Sequence, residues 1–170
     1  MTVEIDVRIE TRDWTVAVPD VLGICQQTAR SALVVGAPAT DAAEMGIVLT
    51  DDETIARLNG RFRGNDAPTN VLAFATESGG PDGWPAVPVG VPRLLGDVVV
   101  AYETATAEAR MAQKTLDHHL RHLVVHGVLH LLGHDHQTDA EADRMEALEI
   151  VILGRLGVDD PYADRKHSAA

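Results

Sequence analysis

The segment that most constrains this chain runs from position 126 to 136 and reads HGVLHLLGHDH. Its histidines His126, His130 and His136 follow the spacing H-x3-H-x5-H, with Gly133 between the second and the third. Two residues four apart on an α-helix share a face and lie roughly 6 Å apart along the axis. Gly133 can end the helix in a left-handed conformation, after which the chain reverses and returns the third histidine to the first two. Three imidazoles with an open fourth position are typical of a catalytic zinc site.

Other histidines nearby leave alternatives open. His134 could be the third ligand in an H-x3-H-x3-H pattern. It precedes the full reversal of the chain, so we expect His136 to complete the ligand set. His118 and His122 continue the helical ladder upstream, and we expect them on a solvated face or beside the ligands rather than on the metal.

The spacing of the three histidines also occurs in metzincin proteases, whose pattern is H-E-x-x-H-x-x-G-x-x-H. The glutamate of that pattern is the general base of the proteases, and Gly127 stands in its place here. The protease mechanism therefore lacks its base at this position. A glycine inside a helix lowers its stability by about 1 kcal/mol relative to alanine. We expect a functional reason for this cost at Gly127, namely that the missing side chain leaves room for substrate beside the metal.

Length and composition indicate one domain over residues 1–158, followed by a flexible C-terminal tail over 159–170. The chain has 170 residues, of which 45% are hydrophobic, enough for a sizeable core. No apolar run approaches the roughly 18 residues of a membrane span, so no membrane partner is expected. The N-terminus lacks the apolar segment of a signal peptide, and the one cysteine, Cys25, cannot form an internal disulfide. Both features favour a cytoplasmic protein.

The charge of the chain is unusual for a protein that binds nucleic acid. Its net charge is −12, from 26 acids and 14 bases, whereas such proteins usually carry a basic surface. Residues 54–65 contain Arg57, Arg61 and Arg63 with no acid. The acids are concentrated at 139–149, on the predicted last helix.

Hydrophobic periodicity predicts an α+β fold, with a small mixed four-stranded sheet, about five helices around it and a zincin-like metal helix near the centre. The T-x-x-E sequences headed by Thr50 and Thr138 predict capping boxes. The stretch 77–92 holds four glycines and four prolines and predicts a long loop, with Trp84 tucked beneath it. The strands are predicted at 3–9, 44–49, 71–75 and 94–101, and the helices at 19–35, 50–60, 102–114, 116–132 and 139–156.

Three motifs occur in order along the chain. They are LNGRFR at 58–63 with PTNVLAF at 68–74, LLGDVVV at 94–100, and the histidine segment itself. In these motifs the chain resembles the YbeY family of bacterial rRNA maturation endoribonucleases. The resemblance implies a metal-dependent, single-strand-specific endoribonuclease that acts in 16S rRNA 3′-end maturation and ribosome quality control.

The resemblance also assigns residues. It makes His126, His130 and His136 the metal ligands and Arg63 the functionally important arginine of the loop motif. Asn70 departs from the family, which more often has aspartate there. An aspartate at this position could orient a metal ligand or the arginine, a role that an amide would perform more weakly.

The expected cofactor is one Zn²⁺ per chain. Zinc held by three imidazoles can lower the pKa of bound water from 15.7 to about 7 and polarise a phosphoryl oxygen. Arg63 has the planar fork that stabilises a phosphoryl group. Asp135 is the second catalytic candidate: it could orient an imidazole, accept a proton from the bound water, or cap the helix end.

Two other classes of function remain open. One is a metallohydrolase of another bond, peptide or amide, although Gly127 argues against it. The other is a ribosome-assembly factor with a mainly structural metal, whose acidic surface at 139–149 would suit a basic ribosomal protein. The expected partners are accordingly single-stranded RNA, in particular the 16S rRNA precursor, and ribosomal proteins or assembly factors.

Overall fold

The computed structural model describes residues 2–36, 42–76 and 84–168. Within these ranges four strands form one sheet, in the spatial order β1–β2–β4–β3. Strand β2 pairs in parallel with both β1 and β4, whereas β3 pairs antiparallel with β4, so the sheet is mixed as predicted. The strands are β1 (Thr2–Ile9), β2 (Ala42–Thr50), β3 (Val71–Ala75) and β4 (Arg93–Ala101).

Seven helices lie within the described ranges, two more than predicted. The predicted five are all present, with ends within a few residues of those expected. The additional two, α1 and α7, have six residues each, too short for an apolar period to mark them. The helices are α1 (Arg12–Ala17), α2 (Val21–Gly36), α3 (Asp52–Arg63), α4 (Tyr102–Met111), α5 (Leu116–Leu131), α6 (Asp139–Arg155) and α7 (Ala163–Ser168).

The main core lies between one face of the sheet and helices α2, α5 and α6. Ile47 of β2 and Val98 of β4 are fully buried there against Leu129 of α5. Helix α3 covers part of the opposite face, where Ile55 packs on Leu72. The apolar sequence of α5 thus places this helix directly on the sheet, and its histidines lie at the edge of the core. The likeness of α5 to a zincin helix stays a prediction.

Capping explains where two of the helices begin. Thr138 and Glu141 form the predicted capping box at the start of α6. The prediction for Thr50 is wrong, because the side chain of Asp51 caps α3 and accepts the Thr54 N–H at 2.8 Å. Thr50 is instead buried at the end of β2, where its carbonyl accepts the indole N–H of Trp14 at 3.0 Å.

The predicted loop at 77–92 and the predicted tail at 159–170 lie partly within the described residues. Of the predicted loop, 77–83 lies outside the described residues, and 84–92 has no helix or strand. Trp84 is partly buried against the core, as expected, with the guanidinium of Arg93 over its ring at 5.0 Å. The flexibility of 159–170 stays a prediction, but Tyr162 in this segment contacts α5 and α6. None of the described helices combines the length and apolar character that a membrane span needs.

Candidate metal centre

Three imidazoles converge where α5 ends. Helix α5 supplies His126 and His130, and the loop after it supplies His136. One ring nitrogen from each lies within 4.8 Å of the others, and the Nε2 atoms of His126 and His130 are 3.1 Å apart. Two nitrogens bound to one tetrahedral zinc at 2.0–2.1 Å are about 3.3 Å apart. Three imidazoles are therefore a suitable donor set for a metal ion such as zinc, and the first two already have the spacing of a bound pair.

Gly133 makes the predicted reversal. Its φ of 92° is left-handed, and the His134 N–H donates to the Leu129 carbonyl at 3.0 Å across the end of the helix. The ring of His134 is oriented toward the backbone of Gly36 in α2. His134 therefore lies outside the three-histidine group, as predicted.

The protonation state of His130 suits a ligand. Burial, together with the positive charges that His126 and His136 can carry, lowers the pKa of His130 from 6.5 to about 4. This imidazole is therefore neutral at pH 7, the form that binds a metal ion.

A buried carboxylate lies behind the histidines. Glu149 of α6 is fully buried, and its Oε1 lies 2.6 Å from His126 Nδ1. His122 Nε2 lies 3.4 Å from Oε2, and the Tyr162 hydroxyl donates to the same oxygen. With Nδ1–H donated to Glu149, the Nε2 of His126 is left to face the other imidazoles.

The electrostatics of Glu149 agree with a permanent carboxylate. Burial alone would raise its pKa, but hydrogen bonds from His122 and His126 outweigh burial and lower the pKa of Glu149 to about 2. Burial and the neighbouring carboxylate raise the pKa of Tyr162 well above its ordinary value, so the phenol stays a donor. His126, Glu149 and Tyr162 thus belong to one hydrogen-bond network.

The role of Glu149 was not predicted from the sequence, because this residue is one of several acids on a helix expected to be acidic at its surface. A signal was present, since Glu149 lies four residues after Met145 and three before Ile152, both on the buried face of α6. An acid at a core position needs a partner. The prediction for His122 included a place beside the ligands, and its contact with Glu149 agrees with that alternative.

The three histidines open into a cleft of about 810 Å³ between α5, its following loop, the end of α3 and strand β3. Arg63, the last residue of α3, is exposed and lines this cleft. Its guanidinium donates to the Ala73 carbonyl of β3 at 3.3 Å. Arg57 and Arg61 do not line the cleft, so only one of the three arginines of this group faces the histidines.

Asp135 and Asn70 also line the cleft. An oxygen of Asp135 accepts the backbone N–H of His136 at 2.8 Å, which restrains the loop that carries this histidine. The Asn70 amide donates to both oxygens of Glu108 at 3.0 and 3.2 Å. An aspartate at position 70 would place a second carboxylate beside Glu108, and the Asn70 amide avoids that repulsion.

Gly127 lines the cleft, and the room it would leave for substrate stays a prediction. A Cβ built on this residue points toward the sheet and would meet the two Cγ atoms of Val98 at 2.5 and 2.9 Å. The glycine is therefore required for the close packing of α5 on β4. A glutamate at this position would have to displace a fully buried valine, so the base of the metzincin pattern has no place here.

Fold and site together define an α+β protein with a three-histidine group able to bind a metal ion beside an open cleft. The sequence profile of the family Endoribonuclease YbeY matches residues 6–157, and the chain belongs to this family.

Two curated relatives support this family membership. The chain is 50% identical to the Endoribonuclease YbeY of Paramagnetospirillum magneticum, over 97% of this chain and 99% of that protein. It is also 50% identical to that of Azorhizobium caulinodans, over 94% and 96%. A Thermotoga maritima protein solved in solution matches with a TM-score of 0.54 over 98% of this chain and 93% of its own. At 20% identity this last likeness concerns the fold alone.

Proposed function

We propose that this protein is a zinc-dependent endoribonuclease, a hydrolase that cleaves single-stranded RNA, with one zinc ion per chain bound by His126, His130 and His136. The convergence of three imidazoles in a cleft that also holds Arg63 carries this proposal. Three protein ligands leave a position open, whereas a structural zinc is usually closed by four. The family and the names of its relatives supply the class of substrate.

Each residue in or beside the cleft has a separate proposed role. Arg63 presents a planar cationic fork to a phosphate, where it can stabilise the charge of the transition state. Glu149 holds His126 in the tautomer that directs Nε2 toward the other imidazoles. One oxygen of Asp135 restrains His136, and its other oxygen is our candidate proton acceptor. A bound zinc ion supplies a Lewis acid for the phosphoryl oxygen and activates water near neutral pH.

In the cell, we propose that the substrate is the 16S rRNA precursor and that cleavage serves 3′-end maturation and ribosome quality control in the cytoplasm. Membership of the family supports this assignment. The net charge of −12 suits additional contact with basic ribosomal proteins or with assembly factors that carry them.

Cleavage of single-stranded RNA by zinc-loaded, nuclease-free protein tests the proposal. His130→Ala should abolish cleavage, whereas His118→Ala, which removes a histidine of the same helix outside the group, should leave it unchanged. RNA binding with no cleavage by the parent would instead favour an assembly factor with a structural metal. Hydrolysis of peptide or amide bonds with no effect on RNA would favour a hydrolase of another class.

A further inference from the structure

Strand β3 is an edge of the sheet, and this edge lies in the histidine cleft. Its neighbour in the sheet is β4, at the end of the order β1–β2–β4–β3. Val71, Leu72 and Ala73 line the same cleft as the three histidines and Arg63. The backbone of an edge strand has hydrogen-bonding groups that its own sheet does not use.

The register of β3 on β4 identifies these groups. The Ala101 N–H donates to the Asn70 carbonyl, and the Thr76 N–H donates to the Leu95 carbonyl, both at 3.0 Å. Pairs directly opposite each other in an antiparallel ladder alternate between bonded and non-bonded. Leu72 and Phe74 therefore bond to β4, opposite Val99 and Asp97, whereas Val71, Ala73 and Ala75 direct their N–H and C=O groups to the open side.

Strand β3 has no charged side chain of its own to discourage pairing at this edge. The other edge of the sheet, β1, carries Glu4, Asp6 and Arg8, charges that discourage pairing with another chain. Strand β3 reads VLAFA and carries none. Because this edge lies in the candidate functional cleft, its outward backbone groups can be reached by a ligand bound there.

Two side chains limit what this ligand can be. The Val71 N–H donates to Asn70 Oδ1 at 2.7 Å, and the Ala73 carbonyl accepts from Arg63 at 3.3 Å. An added peptide strand needs a continuous series of backbone partners, and Asn70 and Arg63 interrupt that series. Within the described part of the chain the Ala73 N–H has no acceptor, and it lies next to a carbonyl with a second lone pair. The Ala73 N–H and carbonyl together offer one hydrogen-bond donor beside one acceptor. This pair is complementary to an adjacent acceptor and donor on the edge of a single planar base.

We propose that the backbone of Ala73 binds the Watson–Crick edge of one unpaired nucleobase, with the adjacent Arg63 on a phosphate of the same strand. This inference rests on the proposed function as a ribonuclease. Each base has neighbouring donors and acceptors on this edge, and in a duplex the partner strand occupies them. With uracil, the Ala73 N–H donates to a carbonyl oxygen of the base and the base N3–H donates to the Ala73 carbonyl. The contact selects single strands without selecting a sequence.

The test compares two uniform RNA oligomers, oligouridine and oligo-3-methyluridine, whose methyl group blocks the Watson–Crick edge. Binding to zinc-loaded protein is measured by fluorescence anisotropy, with intact RNA verified on a gel. The parent should bind the methylated oligomer about tenfold more weakly, the effect of losing roughly one good hydrogen bond. Ala73→Pro places a ring carbon where the N–H pointed to the open side, which excludes the base from both the N–H and the carbonyl without removing a bond to β4, and an edge strand tolerates proline. This variant should bind both oligomers alike.

Ala75→Pro is the matched control. It removes an equivalent outward N–H of β3, but Ala75 does not line the cleft, so this variant should discriminate as the parent does. Equal binding of the two oligomers by the parent would overturn the proposal without any mutation. If Ala73→Pro still discriminated fully between oligouridine and oligo-3-methyluridine, the proposal would also be overturned. An extended polypeptide would then be the better candidate ligand of this edge. Discrimination without any cleavage would refute the proposed function alone, and cleavage without discrimination would refute this inference alone.

Discussion

At the scale of single residues, Glu149 determines how His126 is presented. This fully buried carboxylate receives hydrogen bonds from His126, His122 and Tyr162. A buried charge is tolerated only when such partners satisfy it. The orientation of one proposed ligand therefore depends on α6 and on the segment after it, as well as on α5 itself.

Replacement of Glu149 tests this dependence. Glu149→Gln removes the charge and places an amide N–H₂ against groups that are themselves donors, so His126 loses a fixed orientation. Loss of such a supporting group typically lowers metal affinity about 10–100-fold, and we expect a loss of zinc affinity in this range by competition with a chelator. Asp143→Asn is the control, because Asp143 is an exposed acid of the same helix. Unchanged affinity in Glu149→Gln would show that the buried carboxylate serves folding only.

Arg63 is the second prediction at this scale. Arg63→Ala should reduce RNA cleavage about 100-fold, the typical effect of removing one group that stabilises transition-state charge, while zinc content stays at the parental level. Arg63→Lys should recover only part of the rate, because an ammonium group lacks the planar fork. Arg61→Ala, at an exposed arginine that does not line the cleft, should cleave normally. Parental cleavage by Arg63→Ala would show that Arg63 is only a solvated residue at the end of α3.

At the scale of secondary structure, Gly127 sets the distance between α5 and β4. Gly127→Ala gains about 1 kcal/mol of helix propensity, but the new methyl group would overlap buried Val98. Overpacking of this kind costs about 1–3 kcal/mol, and the overlap here is severe. We therefore expect a net decrease of about 1 kcal/mol in the free energy of unfolding, measured by urea denaturation.

Two further variants separate packing from propensity. Gly154→Ala in α6 introduces a Cβ with nothing within 4 Å and should raise stability by up to about 1 kcal/mol. Val98→Ala should remove most of the penalty of Gly127→Ala when the two are combined, which a double-mutant cycle measures. A Gly127→Ala protein that is more stable than the parent would contradict the packing role.

The elements themselves could largely be predicted from the sequence, since all four strands and the five longer helices follow hydrophobic periods. The turn at Gly133 was predictable for the same kind of reason, because a left-handed residue after a helix is a local property. Long-range contacts were not predictable. The position of Gly127 against Val98, and the approach of Glu149 and Tyr162 to His126, depend on how helices pack on the sheet, about which a single sequence carries little information.

At the scale of the whole molecule, the histidines make stability depend on pH. The ordinary pKa of His130 is 6.5, and in the folded protein it is lowered to about 4. Between these values the unfolded chain binds a proton that the folded chain does not. The free energy of unfolding of the metal-free protein should therefore be at its full value above pH 6.5 and decrease as the pH falls toward about 4.

Urea denaturation of metal-free protein at about pH 7 and about pH 5 measures this decrease. His130→Gln, which cannot titrate, should lose less stability over the same interval than the parent does. Bound zinc should be released in the same range, because protons compete with the metal for the imidazoles. A parent protein whose stability rises as the pH is lowered would contradict this account.

The most direct test of the central claim, that His126, His130 and His136 bind a metal ion, is the zinc content of two purified variants. His136→Ala removes a member of the group, and His134→Ala removes a neighbour whose ring is oriented toward Gly36. After equilibration with zinc and gel filtration, the parent and His134→Ala should each retain one ion per chain, and His136→Ala should lose most of it. Retention by His136→Ala with loss by His134→Ala would contradict the proposed site.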